Sequence, residues 1–131
     1  MYQRGYAAGV FDLFHVGHLR MLKRAREMCK YLIVAISSDE LVEELKNRKP
    51  VIGLDHRMEI VEALGIADEV VIQFNYDKAK AKQKYRFDAV FIGSDHKGEK
   101  VWEGFEEAMN VVYLPYTQVV STTKIIEDIH G

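Results

Sequence analysis

Five short apolar runs, at residues 5–10, 31–37, 69–72, 89–93 and 110–114, recur along this chain, and segments of helix length fill most of the gaps between them. The runs are continuously apolar rather than alternating with polar residues, the mark of strands buried on both faces, as in a parallel sheet. The intervening segments at 18–30, 39–46, 55–64, 76–85, 100–109 and 121–130 are predicted helices. In the first of them Leu19, Leu22, Ala25 and Met28 or Cys29 form one apolar stripe. Ser37-Ser38-Asp39-Glu40 reads as a capping box opening the second. Such repeated β–α alternation with short connections predicts an α/β fold: a single doubly wound, Rossmann-like parallel sheet of about five strands, with helices on both faces and right-handed crossovers. Ligands of such sheets collect at the carboxyl ends of the strands, where the strand order reverses.

The chain has 131 residues, which predicts one domain over 1–131 with a single sizeable core. A net charge of −2 implies no general attraction to nucleic acid. The single cysteine excludes an intramolecular disulfide and fits a reducing cytoplasm. Met1-Tyr2-Gln3-Arg4 leads straight into a strand, with no signal peptide to read. The longest unbroken apolar run, Tyr31 to Ile36, is far below the roughly 18 residues of a membrane span. A cytoplasmic location without membrane partners is expected.

Chemistry concentrates at Gly9-Val10-Phe11-Asp12-Leu13-Phe14-His15-Val16-Gly17-His18, where the first strand hands over to the first helix. A helix N-terminus carries unpaired N–H donors and the positive end of the helix dipole, so phosphate is favoured there. Gly17 is expected to let the backbone approach a ligand and to adopt angles other residues resist. Two imidazoles beside such a site donate hydrogen bonds to phosphate oxygens without adding a large fixed charge. A metal site is the rival reading. Zinc, however, needs three or four protein ligands, Asp12 is the only nearby third donor, and Cys29 lies almost three helical turns away.

Two further segments have phosphate chemistry within reach. Lys46-Asn47-Arg48-Lys49-Pro50 is a basic cluster that reads either as a solvated helix end, where one cation is routine, or as an anion site. Ser121-Thr122-Thr123 caps the last predicted helix with three hydroxyls where an ordinary N-cap needs one. Asp95 and His96 stand at a strand end and are candidates to line the pocket. Gly93 to Gly98 has the glycine spacing of a Walker loop but continues Glu99-Lys100, and no Gly-x-Gly-x-x-Gly follows the first strand.

In this order the segments resemble the cytidylyltransferase family of the His-x-Gly-His nucleotidyltransferase superfamily, most closely the short glycerol-3-phosphate cytidylyltransferases of cell-wall and capsule synthesis. The similarity runs from Gly9 to about Ile126 and includes Val34 to Glu40, Asp55-His56-Arg57 and Tyr116-Thr117-Gln118-Val119-Val120-Ser121-Thr122-Thr123. The resemblance implies that His15 and His18 bind the nucleoside triphosphate and stabilise charge at its α-phosphate, with Val10 and Phe11 touching the nucleotide through backbone. It implies that Lys46 binds the acceptor phosphate, that Arg48 contacts the triphosphate, and that Tyr116, Thr117 and Ser121 to Thr123 complete its site. A further family lysine falls near Lys78 and Lys80. The sequence departs from the family pattern at Tyr116 and Gly65, where arginines are usual, and at Val119, where glycine is usual.

The resemblance therefore implies transfer of a cytidylyl group from CTP to a small phosphorylated alcohol by a homodimer. Mg²⁺ would arrive on the triphosphate, with no protein-held metal. The alternatives are an adenylyltransferase of the same fold and a nucleotide-binding regulatory module without turnover.

Overall fold

The computed structural model describes residues 1–93 and 110–115. The chain forms β1 (Tyr2–Gly9), α1 (Val16–Glu27), β2 (Cys29–Ser37), α2 (Asp39–Lys46), α3 (Leu54–Leu64), β3 (Glu69–Gln73), α4 (Lys78–Tyr85), β4 (Ala89–Gly93) and β5 (Asn110–Leu114). The helices expected over 100–109 and 121–130 lie outside the described residues.

All five strands join one parallel sheet in the order β3-β2-β1-β4-β5. Side chains alternate across it and feed two cores. Ala7, Leu32, Val34, Ile36, Ala89 and Phe91 face one side, where Leu22 and Ala25 of α1 and Val61 of α3 cover them. Tyr6, Ile33, Ala35, Val90 and Ile92 face the other, against Ala81 and Tyr85 of α4. The chain steps from β1 through β2 to β3 in one direction with α1 and α3 on the first face. It then crosses back to β4 with α4 on the second, as crossovers of one constant hand require. Double burial is why these strands read as unbroken apolar runs. Packing at the sheet centre is close: a Cβ on Gly5 would come within 2.3 Å of the Phe91 ring and 2.9 Å of Cys29 Sγ.

The strand order reverses beside β1, so the carboxyl end of β1 opens onto the crevice where ligands of such folds bind. The histidine segment leaves β1 at that point. Several element ends, and one cap, differ from expectation. β2 begins at Cys29, which ends α1 at Glu27 rather than near residue 30. α4 starts at Lys78 because Asp77 is its N-cap, accepting from Lys80 N–H at 3.0 Å. Ser38 caps α2 by accepting from Leu41 N–H at 3.2 Å, but Leu41 occupies the third helical position and has no polar group to reach back. The capping box expected there is therefore a simple cap.

Among the described residues, no helix is long and apolar enough to cross a membrane.

Candidate active site

The capping box is on α1 instead, and it is made of the two histidines. His15 is the N-cap, in extended backbone, and its Nδ1 accepts from Gly17 N–H at 3.0 Å. His18 reaches back so that its own Nδ1 accepts from His15 N–H at 3.2 Å. The imidazoles lie 4.1 Å apart between centroids, and His18 meets Phe11 edge-on at 5.6 Å and Phe14 at a tilt at 5.2 Å.

This cap decides the tautomer. A nitrogen that accepts from a backbone N–H carries no proton, so each neutral ring holds its proton on Nε2. The Nε2 of His15 is buried and has no hydrogen-bond partner among the described residues, a donor that a ligand oxygen would satisfy. Burial lowers the pKa of His15. His18 is pushed down to about 3, first by burial, then by the neighbouring His15 and by the Lys46 ammonium. Both rings are therefore neutral near pH 7 and present N–H donors rather than cations.

The turn before the helix is strained. Phe11 and Leu13 both sit in the left-handed region, at φ 56° and 48°, which bulky side chains resist. Gly17, by contrast, is helical, and its amide is spent on His15. The expectation that Gly17 supplies unusual angles is corrected: a residue in the first turn of α1 must be helical, so the sharp reversal falls on Phe11 and Leu13. The Phe11 ring fills the core beneath, within 3.0 Å of where a Cβ on Gly9 would stand.

Asp12 is 4% exposed and its carboxylate accepts from three backbone amides: Val51 N–H at 2.7 Å, Ile52 N–H at 2.8 Å and its neighbour Leu13 N–H at 3.1 Å. Among the described residues no three His, Cys, Asp or Glu side chains converge. Lys46 ends α2, Asn47 follows as a left-handed C-cap at φ 55°, and Arg48 and Lys49 are exposed beyond it. Lys46 is near enough for its ammonium to help depress the His18 pKa. Asp95, Tyr116, Thr117, Ser121, Thr122 and Thr123 lie outside the described residues.

Sequence reasoning assigned no role to Arg57. It is fully buried, and its guanidinium donates to Ile52 O (2.8 Å), Val10 O (2.8 Å), Ser37 O (2.8 Å) and Asp39 Oδ1 (2.6 Å). The ends of β1 and β2 and the segment before α3 are held by one side chain. The signal was legible: Leu54, Arg57, Met58 and Val61 share one stripe of α3, and a cation on an apolar stripe needs buried acceptors. Lys78 is the same case in α4. It sits on the stripe of Ala81 and Tyr85, buried against Gln73 Oε1, and burial lowers its pKa to about 8. Gln73 in turn donates to Ser37 Oγ at 3.1 Å.

A family model described as cytidylyltransferase-like matches residues 6–128, nearly the whole chain. The chain belongs to the cytidylyltransferase-like family. Among its relatives is the glycerol-3-phosphate cytidylyltransferase of Bacillus subtilis (strain 168), 38% identical over 124 residues that cover 94% of each protein. Another, named FAD synthase, from Thermococcus sibiricus, is 33% identical over 138 residues, 96% of this chain and 91% of that one. A crystal structure of a lipopolysaccharide core biosynthesis protein from Thermoplasma volcanium GSS1 shares the fold, with a TM-score of 0.72, 20% identity and coverage of 92% of this chain and 100% of that one. The doubly wound sheet of this cytidylyltransferase-like chain is thus the fold of its relatives.

Proposed function

We propose that this chain transfers a cytidylyl group from CTP to the phosphate of a small phosphorylated alcohol, glycerol 3-phosphate or a close analogue. The observation that carries the reading is the pair of neutral imidazoles locked through Nδ1 at the start of α1, with a buried, unpartnered Nε2 on His15. An acceptor phosphate oxygen attacks the α-phosphorus in line. The new phosphorus–oxygen bond forms as the bond to the bridging oxygen breaks, and pyrophosphate leaves with that electron pair. Nothing in the step needs a covalent enzyme intermediate. The protein's share is to position both phosphates and to stabilise charge as it builds on the α-phosphate. The two Nε2–H groups and the N-terminus of α1 serve the α-phosphate, Lys46 the acceptor and Arg48 the triphosphate. Mg²⁺ would enter on the triphosphate and neutralise part of its charge. The donors described here suit that arrangement, since Asp12 is committed to backbone amides and the cation would be held by phosphate and water.

The glycerol-3-phosphate cytidylyltransferase relative supports CTP and glycerol 3-phosphate as the pair to try first. A place in making cell-wall or capsule precursors in the cytoplasm is part of the same proposal. The relative named for an adenine dinucleotide makes ATP the donor to run beside CTP. The test is pyrophosphate release from each donor across a panel of phosphorylated polyols, amino alcohols and sugars. Turnover with CTP supports the reading; turnover with ATP alone replaces it with adenylyl transfer, and tight CTP binding without turnover replaces it with a regulatory module. In the active pair, His15→Ala and His18→Ala should each lower kcat by roughly a hundred- to a thousandfold with a smaller change in KM. A kcat near wild type in either folded variant refutes their role. The functional unit is a homodimer, so light scattering at micromolar concentration should return twice the chain mass.

A further inference from the structure

The segment bearing Arg48 and Lys49 is short and fastened at both ends. Upstream, α2 closes on Asn47, whose N–H donates to Glu43 O at 2.9 Å. Downstream, the amides of Val51 and Ile52 converge on the Asp12 carboxylate, and the Ile52 carbonyl is taken by Arg57. Asp12 itself stands in the histidine turn, between left-handed Phe11 and Leu13 and three residues before His15. A buried carboxylate holding two amides is a strong, directional anchor. We infer that Asp12 is a positioning residue: its carboxylate docks the basic segment onto the histidine turn, so that Arg48 and Lys49 meet the triphosphate at a set distance from the two imidazoles. The identity of that ligand rests on the nucleotidyl-transfer reading; the docking does not.

Asp12→Asn tests it. The side-chain amide keeps one acceptor oxygen but turns an NH₂ toward the second backbone N–H, donor against donor. Arg57 still holds Ile52 O and Val10 O, so the sheet and the histidine caps persist. The first readout needs no ligand: trypsin cleavage of the native protein after Lys46 and Arg48, Lys49 being shielded by Pro50. Cleavage should accelerate roughly tenfold while global melting moves little. An unchanged rate overturns the inference.

The second readout is a cycle of dissociation constants for CTP, and in parallel ATP, in wild type, Asp12→Asn, Arg48→Ala and the double variant. Asp12→Asn should weaken binding about tenfold, and the double variant should bind within about twofold of Arg48→Ala alone. Fully additive losses would show that Asp12 does not act through the basic segment and overturn the proposal. Should Asp12→Asn fail to fold, Val51→Pro deletes one of the two amides from the other side and repeats both readouts. A wild-type chain that binds neither triphosphate refutes nucleotidyl transfer and the triphosphate as the segment's ligand. The docking then stands or falls on the cleavage rates.

Discussion

Replacing Arg57 with methionine keeps most of the side-chain volume and removes the four hydrogen bonds its guanidinium makes. Asp39 is partly exposed and can turn to water. The carbonyls of Val10, Ser37 and Ile52 lose a charged donor at the sheet's carboxyl edge, where apolar packing replaces it with nothing. Orphaning a buried acceptor costs about 1–3 kcal/mol each, but carbonyls have second lone pairs and the losses are not additive. Breaking one buried ionic cluster is the better guide, at about 3–5 kcal/mol. A chain of this length gains about 0.28 kcal/mol per kelvin in unfolding entropy, so the melting temperature should fall by roughly 10–18 °C. Circular dichroism melts, with urea titration to confirm an unchanged m-value, measure it. Arg57→Lys should recover only a minor part, because one ammonium cannot serve four acceptors in a planar fork. A fall of less than about 4 °C for Arg57→Met would refute the view that this guanidinium holds the three segments together.

Lys46→Ala should raise the acceptor KM with little change in the CTP dissociation constant by calorimetry; an unchanged acceptor KM would return Lys46 to a solvated helix end. His18 binds its proton near pH 6.5 when unfolded and at about 3 when folded. Its contribution to stability is therefore full above about pH 6.5 and is lost progressively as pH falls toward about 3, so the urea midpoint should decline across that window. His18→Gln should flatten part of the decline, and a wild-type midpoint level from pH 6.5 to 4 would contradict a buried neutral ring.

Much of the architecture could be read because double burial leaves a plain trace: four of the five strands begin or end where an apolar run does, and α2 spans the residues its pattern marks. The start of α1 could not, because a histidine is an uncommon cap and its role depends on where Nδ1 points. Arg57 and Lys78 were legible only in part. Each breaks an apolar stripe, but whether a cation there is solvated or buried turns on acceptors contributed by strands 20 to 47 residues away for Arg57. The histidine motif and the basic cluster stood out in the sequence, whereas the anchoring of Val51 and Ile52 on Asp12 required two amides distant in sequence to be seen side by side.

The two imidazoles of the cap each spend Nδ1 on the start of a helix, and on His15 the other nitrogen is buried with no hydrogen-bond partner among the described residues. Random substitution at either position is thus screened twice, once for folding and once for turnover, and the two demands separate by residue type. Asparagine keeps an oxygen that caps but is too short to replace Nε2, whereas alanine loses both. A drop in yield with alanine that asparagine restores, alongside a drop in rate that it does not, would divide what α1 owes these side chains from what the reaction owes them. Acid reaches the cap edge first, since protonating Nδ1 turns an acceptor into a donor facing backbone N–H groups. The Nε2–H survives that protonation, so the start of the helix should fail before the donor does.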